Sequence, residues 1–322
     1  FEGQLKSSPG TLARPDMPPI RLDAADISLA WDEAAHRLDL PAIAIRSEGT
    51  TIGLAGEMRE QPGQAWHLAL RGRDAVVAGL TPSDPAFRVD SQFDLTFRDG
   101  AVVLDRASLK GEAVDLEVSG TLDTSSGAPA LRGTVAVRDT EARRFVRLWP
   151  DQANPELRGF LAQRLRGGRV GELRLALLFE PDDLKAAFSG RPLSERALDL
   201  AFRGTGGELK VVDGLPALRS LSIEGRATGT KVVLAAREAV LAMPDGRRLA
   251  FSDGSYVHEG LDQPNSVAQI AFRVTGGADA LVSALRSPLL REAAKVEIDP
   301  GLVKGTADLR IRLPLNPGHP PQ

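Results

Sequence analysis

The chain has no cysteine, few aromatic residues, no strong excess of either charge and no long apolar run. The absence of cysteine from its 322 residues excludes disulfides and thiolate metal sites. It also suits a bacterial envelope protein, which folds where thiols are oxidised. The formal net charge of -3 disfavours a nucleic-acid-binding protein, because such proteins usually carry a basic excess. No segment approaches the roughly 18–20 apolar residues of a membrane-spanning helix.

Short alternations of apolar and polar residues, separated by glycine and proline, fill most of the sequence. In one of them Val114, Leu116 and Val118 alternate with Asp115 and Glu117. A period of two over several residues is typical of a strand with one apolar face and one solvated face. The sequence therefore predicts a mainly β fold with about 17–18 short strands.

Three local patterns lead to more specific expectations. The Pro-, Ser- and Gly-rich stretch that ends at Pro19 is interpreted as a turn or linker. The run 204–207 (Gly-Thr-Gly-Gly) favours a tight hairpin over a phosphate-binding loop, because no Lys-Ser/Thr and no helix follow it. The pair Asp182-Asp183 after Pro181 is expected in a solvated turn.

Two helix-like breaks interrupt the strands, and they resemble each other. Asn154-Pro155-Glu156 is a helix start, with a capping residue, a proline in the first turn and an early acid. Ser287-Pro288 repeats this start 133 residues later, at the same separation as Leu157 and Leu290. Repetition at a fixed interval indicates a modular, elongated protein. The predicted segments are a β segment (1–138), a helical break (139–167), a second β segment (168–276), a second break (277–300) and the start of a further β segment (301–322).

The sequence around the first break resembles the AsmA-like proteins of the YhdP type. The resemblance is carried by Leu148-Trp149-Pro150, by the run 154–161 (Asn-Pro-Glu-Leu-Arg-Gly-Phe-Leu) and by Gly167-Gly168-Arg169-Val170. The run 213–218, the strand-like run 221–225 and the closing segment 301–315 are also similar to this family. The resemblance covers most of residues 139–315.

The resemblance implies an elongated, highly curved, U-shaped antiparallel sheet that forms an apolar groove, with the two helix–Pro–helix breaks as interruptions. It implies that the groove carries phospholipid acyl chains between the inner and outer membranes of a Gram-negative cell. It further implies a periplasmic location, an inner-membrane anchor outside this fragment, possible envelope partner proteins and no enzymatic activity. No cofactor, metal or nucleic acid is expected.

Alternate apolar residues of the strand-like segments are the candidates for the lining of such a groove. They are Val114, Leu116, Val118, Leu173, Leu175, Leu177, Leu198, Leu200, Phe202, Leu221, Ile223, Leu309, Ile311 and Leu313.

Metal-binding and catalytic sites have weaker support in the sequence. The four histidines have no ligand spacing, no Gly-x-Ser-x-Gly elbow is present, and the serines have no histidine partner by motif. His258-Glu259 is interpreted as a strand-end pair, and Trp149 is expected to pack its helix against the sheet rim. The arginines of the first break are either a solvated helix face or a basic contact for lipid headgroups. They are Arg143, Arg144, Arg147, Arg158, Arg164, Arg166 and Arg169.

Two other functions remain open from the sequence. A structural or adaptor β-protein of the cell envelope would pack its apolar faces into a dry sandwich core. A β-solenoid hydrolase would need carboxylates that converge in one cleft, and no such motif is present.

Overall fold

A computed structural model describes residues 1–14, 17–150, 153–211, 215–243, 245–286 and 299–315. Sixteen of the strands form one antiparallel sheet that does not close on itself, and two more form a separate hairpin. The prediction of a mainly β chain built as one open, elongated and curved antiparallel sheet is confirmed.

The strands follow one another along the chain with few interruptions. Their bounds are β1 Glu2–Ser7, β2 Gly10–Arg14, β3 Met17–Leu22, β4 Ala24–Asp32, β5 Arg37–Ser47, β6 Thr50–Gln61, β7 Ala65–Val77, β8 Phe87–Arg98, β9 Ala101–Gly111, β10 Val114–Asp123, β11 Ala130–Glu141, β12 Leu165–Phe179, β13 Leu198–Leu209, β14 Leu218–Thr228, β15 Lys231–Ala242, β16 Arg248–Glu259, β17 Ala268–Gly277 and β18 Thr306–Leu315.

The order of strands in the large sheet is the order in the sequence, except that the β2–β3 hairpin is skipped. Short connections between most neighbours favour this arrangement, because antiparallel strands can be joined by tight turns whereas parallel strands need long crossovers. At about 4.8 Å per strand, the sheet extends roughly 70–75 Å across its strands.

Irregularities in the hydrogen-bond register recur throughout the sheet. Ten of its fifteen ladders contain a register shift. At several shifts the extra residue has a positive φ, for example Asp74 and Asp253 (both 52°) and Ser220 (54°). A β-bulge bends its strand and increases the local twist. The repeated bulges are therefore the physical source of the curvature.

Four helices are described, and three of them follow the ends of strands. They are α1 Ala142–Leu148, α2 Pro155–Arg164, α3 Pro181–Phe188 and α4 Ala278–Leu285. Short 3-10 turns span Glu195–Ala197 and Pro300–Leu302. The helices α1 and α4 follow β11 and β17, which are six antiparallel ladders apart and so run in the same direction. Both helices therefore lie at the same long edge of the sheet, and α3, which follows β12, lies at the opposite edge.

The first predicted break is present: Trp149-Pro150 separates α1 from α2, and the Asn154 side chain caps α2 by accepting from the Leu157 amide at 3.1 Å. The break ends earlier than expected, because β12 already begins at Leu165. In the second break α4 is present, whereas Ser287, Pro288 and Leu290 lie outside the described residues. The end of the chain after Leu315 also lies outside them.

Three local expectations were wrong. The N-terminal stretch is not a linker, since β1 pairs with β4 and β2 pairs with β3. Asp182 and Asp183 lie in the first turn of a helix, α3, rather than in a simple turn, although Asp182 is solvated as expected. Acids in this position interact favourably with the helix dipole. The run 204–207 lies inside β13 at a register shift, where Gly206 has a φ of 66°.

Candidate functional site

One face of the large sheet is apolar from its first strand to its last, and we refer to it as the apolar face. In β10 it presents Val114, Leu116 and Val118, and the register places Val137 and Val135 of β11 opposite the last two. The same register carries the face through β12 and onward to β18. All the candidates from the sequence lie on it: Val114, Leu116, Val118, Leu173, Leu175, Leu177, Leu198, Leu200, Phe202, Leu221, Ile223, Leu309, Ile311 and Leu313.

The apolar face continues in strands whose residues were not among the candidates from the sequence. These strands lie at the N-terminal side of the sheet and between β14 and β18. Leu68 of β7 lies opposite Leu95 of β8, and Tyr256 of β16 lies opposite Ile270 of β17. Their alternation is visible in the sequence, for example in Phe93, Leu95 and Phe97. The bulges hide it elsewhere, because each extra residue moves the apolar positions from odd to even numbers or back.

Two clusters of buried side chains lie on the apolar face, and each lies under a helix of the same edge. The helix α1 brings Leu148 to the first cluster, and α4 brings Ala280, Leu281 and Ala284 to the second. The strand residues of the first cluster are Ala75, Val77, Phe87, Val89 and Val114, and those of the second are Leu241, Leu249 and Val274.

Away from these helices most of the apolar face is only half-buried. Leu175, Leu177, Leu198 and Leu200 are all of intermediate exposure. Among the described residues the other β structure is the two-stranded β2–β3 hairpin, which is too small to cover a sheet of sixteen strands. The arrangement therefore offers an extended apolar surface with room for a partner.

The opposite face of the sheet is polar and is crossed by ion pairs between neighbouring strands. Glu117 of β10 pairs with Arg106 of β9 and, at 3.2 Å, with Arg138 of β11. Hydrogen bonds from Arg106 and then Arg138 lower the pKa of Glu117. Similar pairs join Arg203 to Glu172, Arg237 to Glu224 and Arg273 to Asp308. Exposed pairs contribute little stability each, but they keep this face in water.

The arginines of α1 hold the helix in place. Arg143 is 7% exposed and pairs with Asp84, to which its Nε donates at 2.9 Å. This hydrogen bond is the main reason that the pKa of Asp84 falls to about 2. The side chain of Arg143 also donates to the carbonyl groups of Ala162 and Leu165. Arg147 donates to the Ala78 carbonyl oxygen at 3.1 Å.

Four of the five remaining arginines of the first break have partners within the chain as well. Arg144 pairs with Glu141 at 2.8 Å, and its guanidinium lies 5.3 Å from the centroid of the Phe87 ring. Arg169 pairs with Asp139 at 2.7 Å. Arg158 donates to the Trp149 carbonyl oxygen and Arg164 to that of Lys210, whereas Arg166 is exposed on β12. These contacts support a structural role rather than a headgroup site.

Trp149 packs within its own helical break. Its ring centroid lies 5.6 Å from that of Phe145, and its indole N–H donates to the Ala153 carbonyl oxygen. The indole thus links α1 to the start of α2.

A small polar cluster lies at the rim of the apolar face, at the end of β16. His258 is 7% exposed, and its Nε2 lies 2.9 Å from the Ser266 hydroxyl, while Nδ1 lies 3.4 Å from the Tyr256 hydroxyl. Burial raises the pKa of Tyr256. His258 and Glu259 lie at the end of β16, as expected, and as neighbours on a strand they point to opposite faces, so that Glu259 binds Lys231. Each ring nitrogen of His258 instead faces a hydroxyl group, which is how a buried imidazole is usually satisfied.

In the described part of the chain no group of three or more histidine and acidic side chains is arranged to bind a metal. No helix there is long and apolar enough to cross a membrane.

The geometry is thus that of a broad, largely uncovered apolar face with a polar reverse side. Comparison with known proteins finds no matching family model, no matching curated protein and no matching solved structure.

Proposed function

We propose that this chain is a segment of a lipid conduit, in which the apolar face holds phospholipid acyl chains while they move along the sheet. The observation that carries the proposal is the continuity of the apolar face over sixteen strands, with no second large sheet over it among the residues that the structure describes. An apolar sheet face must be covered by something. Acyl chains suit this face, since each buried methylene contributes about 0.8 kcal/mol without any directional bond.

The dimensions support the same proposal. The sheet extends roughly 70–75 Å across its strands, well beyond a bilayer of about 40–45 Å with its headgroups. Van der Waals contacts with leucine, valine and alanine have no preferred direction, so a bound chain can slide from strand to strand. The resemblance to the AsmA-like proteins of the YhdP type adds the expected setting: the periplasm of a Gram-negative cell, with an inner-membrane anchor elsewhere in the protein.

A structural or adaptor protein with a dry sandwich core is the alternative. It requires a second layer over the apolar face, and of the described elements α1 and α4 cover only strand ends at one edge. The half-buried state of Leu175 and Leu200 in the middle of the sheet favours the conduit over the sandwich.

The proposal is tested by replacing one residue of each face on the same strand. Leu175→Asp places a carboxylate on the apolar face of β12, whereas Arg174→Gln removes a charge from a side chain that is 79% exposed on the polar face. Lipid that remains bound after purification is quantified by mass spectrometry, and transfer between vesicles is measured by fluorescence.

We expect the wild-type chain and Arg174→Gln to retain phospholipid, and Leu175→Asp to lose at least tenfold in both assays. Circular dichroism establishes that each variant is folded. A wild-type chain that carries no lipid and transfers none contradicts the proposal, and so does full activity of a folded Leu175→Asp variant.

A further inference from the structure

The large sheet has two outer strands, and one edge of each pairs with no other strand that the structure describes. They are β1 at one end of the sheet and β18 at the other. The β2–β3 hairpin lies against the end of β5, where the Ser47 hydroxyl donates to the Arg21 carbonyl oxygen at 2.6 Å. An uncovered strand edge presents a row of free N–H and C=O groups that can pair with another strand.

Backbone contacts show which residues direct these free groups outwards. The Phe1 carbonyl oxygen accepts from the Trp31 amide at 2.7 Å, so Phe1 faces β4. One step before β18, the Gly305 carbonyl oxygen accepts from the Ala278 amide at 3.0 Å, so Gly305 faces the side of β17. Because the direction alternates from residue to residue in an antiparallel ladder, the even-numbered residues of both outer strands point outwards.

The side chains of the outer strands alternate in the same way. Odd-numbered residues of both strands lie on the apolar face, as the pairing of Leu5 with Ile27 and of Leu313 with Ile270 shows. The even-numbered residues, which also direct their backbone groups outwards, lie on the polar face. They are Glu2, Gln4, Lys6, Asp308, Arg310 and Arg312. The two outer edges therefore match each other in backbone and in side-chain direction.

The number of strands allows this match between two copies of the chain. Sixteen is an even number, so β1 and β18 run in opposite directions within one sheet. A second copy placed beyond β18 in the same orientation therefore presents its β1 antiparallel to β18. Its apolar face then continues the first one, and its helices lie at the same long edge.

We propose that β1 of one copy pairs with β18 of a second copy in a single register. In this register the outward residues of the two strands form three opposed pairs. They are Glu2 with Arg312, Gln4 with Arg310 and Lys6 with Asp308. Each such pair can exchange two backbone hydrogen bonds, and opposite charges that face each other across two strands stabilise the pairing. The proposal depends only on these two edges and is independent of what the apolar face carries.

The first charged pair consists of two groups without partners in the single chain. The side chains of Glu2 and Arg312 are exposed, and neither forms a hydrogen bond or ion pair with any residue that the structure describes. Their opposite charges lie on the same face of the two outer edges. The pairing of two copies therefore gives each of these side chains its counter-ion.

The second charged pair extends ion pairs that are already present. The Lys6 ammonium lies 3.6 Å from Asp26, and Arg273 donates to Asp308 at 2.8 Å. When Lys6 lies opposite Asp308, these two ion pairs become one row of alternating charges across four strands. The interior of the sheet contains the same arrangement at Glu117, whose carboxylate binds one arginine on each side.

Neighbouring registers fit less well. A shift of two residues in one direction opposes Arg310 to Lys6, which are like charges, and places Pro314 opposite Glu2, where proline has no N–H to donate. A shift of two in the other direction leaves one ion pair, between Arg310 and Glu2. A shift of one residue would put apolar side chains of one strand beside polar side chains of the other.

The same register covers apolar side chains that the single chain exposes. It places Leu5 opposite Leu309 and Phe1 opposite Leu313. Phe1, Leu5 and Leu313 are 85%, 61% and 48% exposed. Removal of such side chains from water favours association, because burial of apolar surface is favourable.

Disulfide cross-linking tests the register, because the chain has no cysteine of its own. Leu5→Cys is mixed with Leu309→Cys under mild oxidation, and in matched controls with Ala307→Cys or with Ile311→Cys. Opposed residues between hydrogen-bonded pairs have Cα atoms about 4.5 Å apart, which a disulfide can span.

We expect the mixture with Leu309→Cys to give at least about fivefold more cross-linked heterodimer than either control. Equal yields in the three mixtures overturn the register. A disulfide dimer that forms as readily from Leu309→Cys alone shows that β18 pairs with itself, and this result also overturns the proposal.

Charge reversal tests the association itself. The apparent mass of the wild-type chain, measured by light scattering, should rise with concentration beyond that of a dimer, because each copy has one edge of each kind. Arg312→Glu should weaken association at least about fivefold, since it opposes two carboxylates. Adding Glu2→Arg to this variant should restore association to within about twofold of the wild-type chain.

The matched control is Arg174→Glu, which reverses the charge of an exposed side chain on β12 in the middle of the sheet and should leave association unchanged. Circular dichroism establishes that each variant is folded. A wild-type chain that stays monomeric at every concentration overturns the proposal, and so does a folded Arg312→Glu variant that associates as well as the wild-type chain.

Discussion

The close approach of β6 to Ala69 of β7 requires a glycine. A β-carbon at Gly56 would lie 1.8 Å from the carbonyl oxygen of Ala69, so no larger residue fits without a shift of the backbone. Three residues earlier on the same strand, Gly53 has open space at the corresponding position. The two glycines thus have different reasons to be there.

Gly56→Ala should therefore destabilise the chain by about 2 kcal/mol or more, because overpacking displaces neighbouring backbone. Gly53→Ala should be neutral or stabilise by up to roughly 1 kcal/mol, because alanine reduces the conformational freedom of the unfolded chain. Urea unfolding of both variants measures the difference. Equal stabilities would contradict the backbone contact at Gly56.

The pair formed by Arg143 and Asp84 is the most enclosed ion pair among those with side chains fully described, with 8% and 21% side-chain exposure. Asp84→Asn should cost roughly 2–4 kcal/mol, because it leaves a buried guanidinium without its counter-ion. The matched control is Asp308→Asn, whose carboxylate is 52% exposed beside Arg273. The control should cost less than about 1 kcal/mol. A similar loss in both variants would contradict the special role of the buried pair.

The pair formed by Arg143 and Asp84 also makes the free energy of unfolding depend on pH. Because the pKa of Asp84 is lowered from 3.8 to about 2 in the folded chain, its contribution is fully present above about pH 4. This contribution to the free energy of unfolding is lost as the pH falls from about 4 towards 2, because Asp84 is protonated at a higher pH in the unfolded chain than in the folded chain. The difference in unfolding free energy between the wild-type chain and Asp84→Asn should shrink over this range, as followed by urea unfolding at several pH values. A constant difference between pH 5 and pH 2.5 would contradict it.

At the scale of elements, α1 and α2 belong to the same break but differ in what they bury. In α1 Val146 is 1% exposed, whereas α2 has no buried residue and Leu157 is 42% exposed. We therefore interpret α1 as the cover of the strand ends and α2 as a connection on the surface.

Val146→Ala should cost about 2 kcal/mol, from the lost methyl groups and the cavity they leave. Leu157→Ala removes more carbon atoms but should change the free energy of unfolding by less than about 0.5 kcal/mol. Thermal unfolding of the two variants compares them. A larger loss of stability from Leu157→Ala than from Val146→Ala would contradict the interpretation of α1 as the cover and α2 as a surface connection.

Some elements could be predicted from the sequence, and others could not. The apolar positions of β10, β12 and β18 were correctly placed on one face, because alternation directly reports a half-buried strand. The strand β1 was missed because its edge position leaves it mostly exposed, as Leu5 at 61% shows. The helix α3 was missed because proline and two acids are equally compatible with a turn and a helix start. The bulge in β13 resembled a hairpin, since both need glycine with positive φ.

At the scale of the whole molecule, an open sheet and a sandwich differ in size. A compact chain of this length has a radius of gyration of about 20 Å. A single sheet that extends roughly 70–75 Å should give about 23–25 Å. Small-angle X-ray scattering of the monomer measures this directly. A value near 20 Å would favour the dry sandwich and contradict the elongated sheet.

The positions of α1 and α4 at one edge also limit how such a sheet can grow or shrink. Because every ladder is antiparallel, the gain or loss of a single strand would transfer the next helix to the opposite long edge and leave one of the two clusters without its cover. Two strands together would preserve the edge. The unit of insertion or deletion that this architecture tolerates is thus the hairpin, and length variants should differ by even numbers of strands.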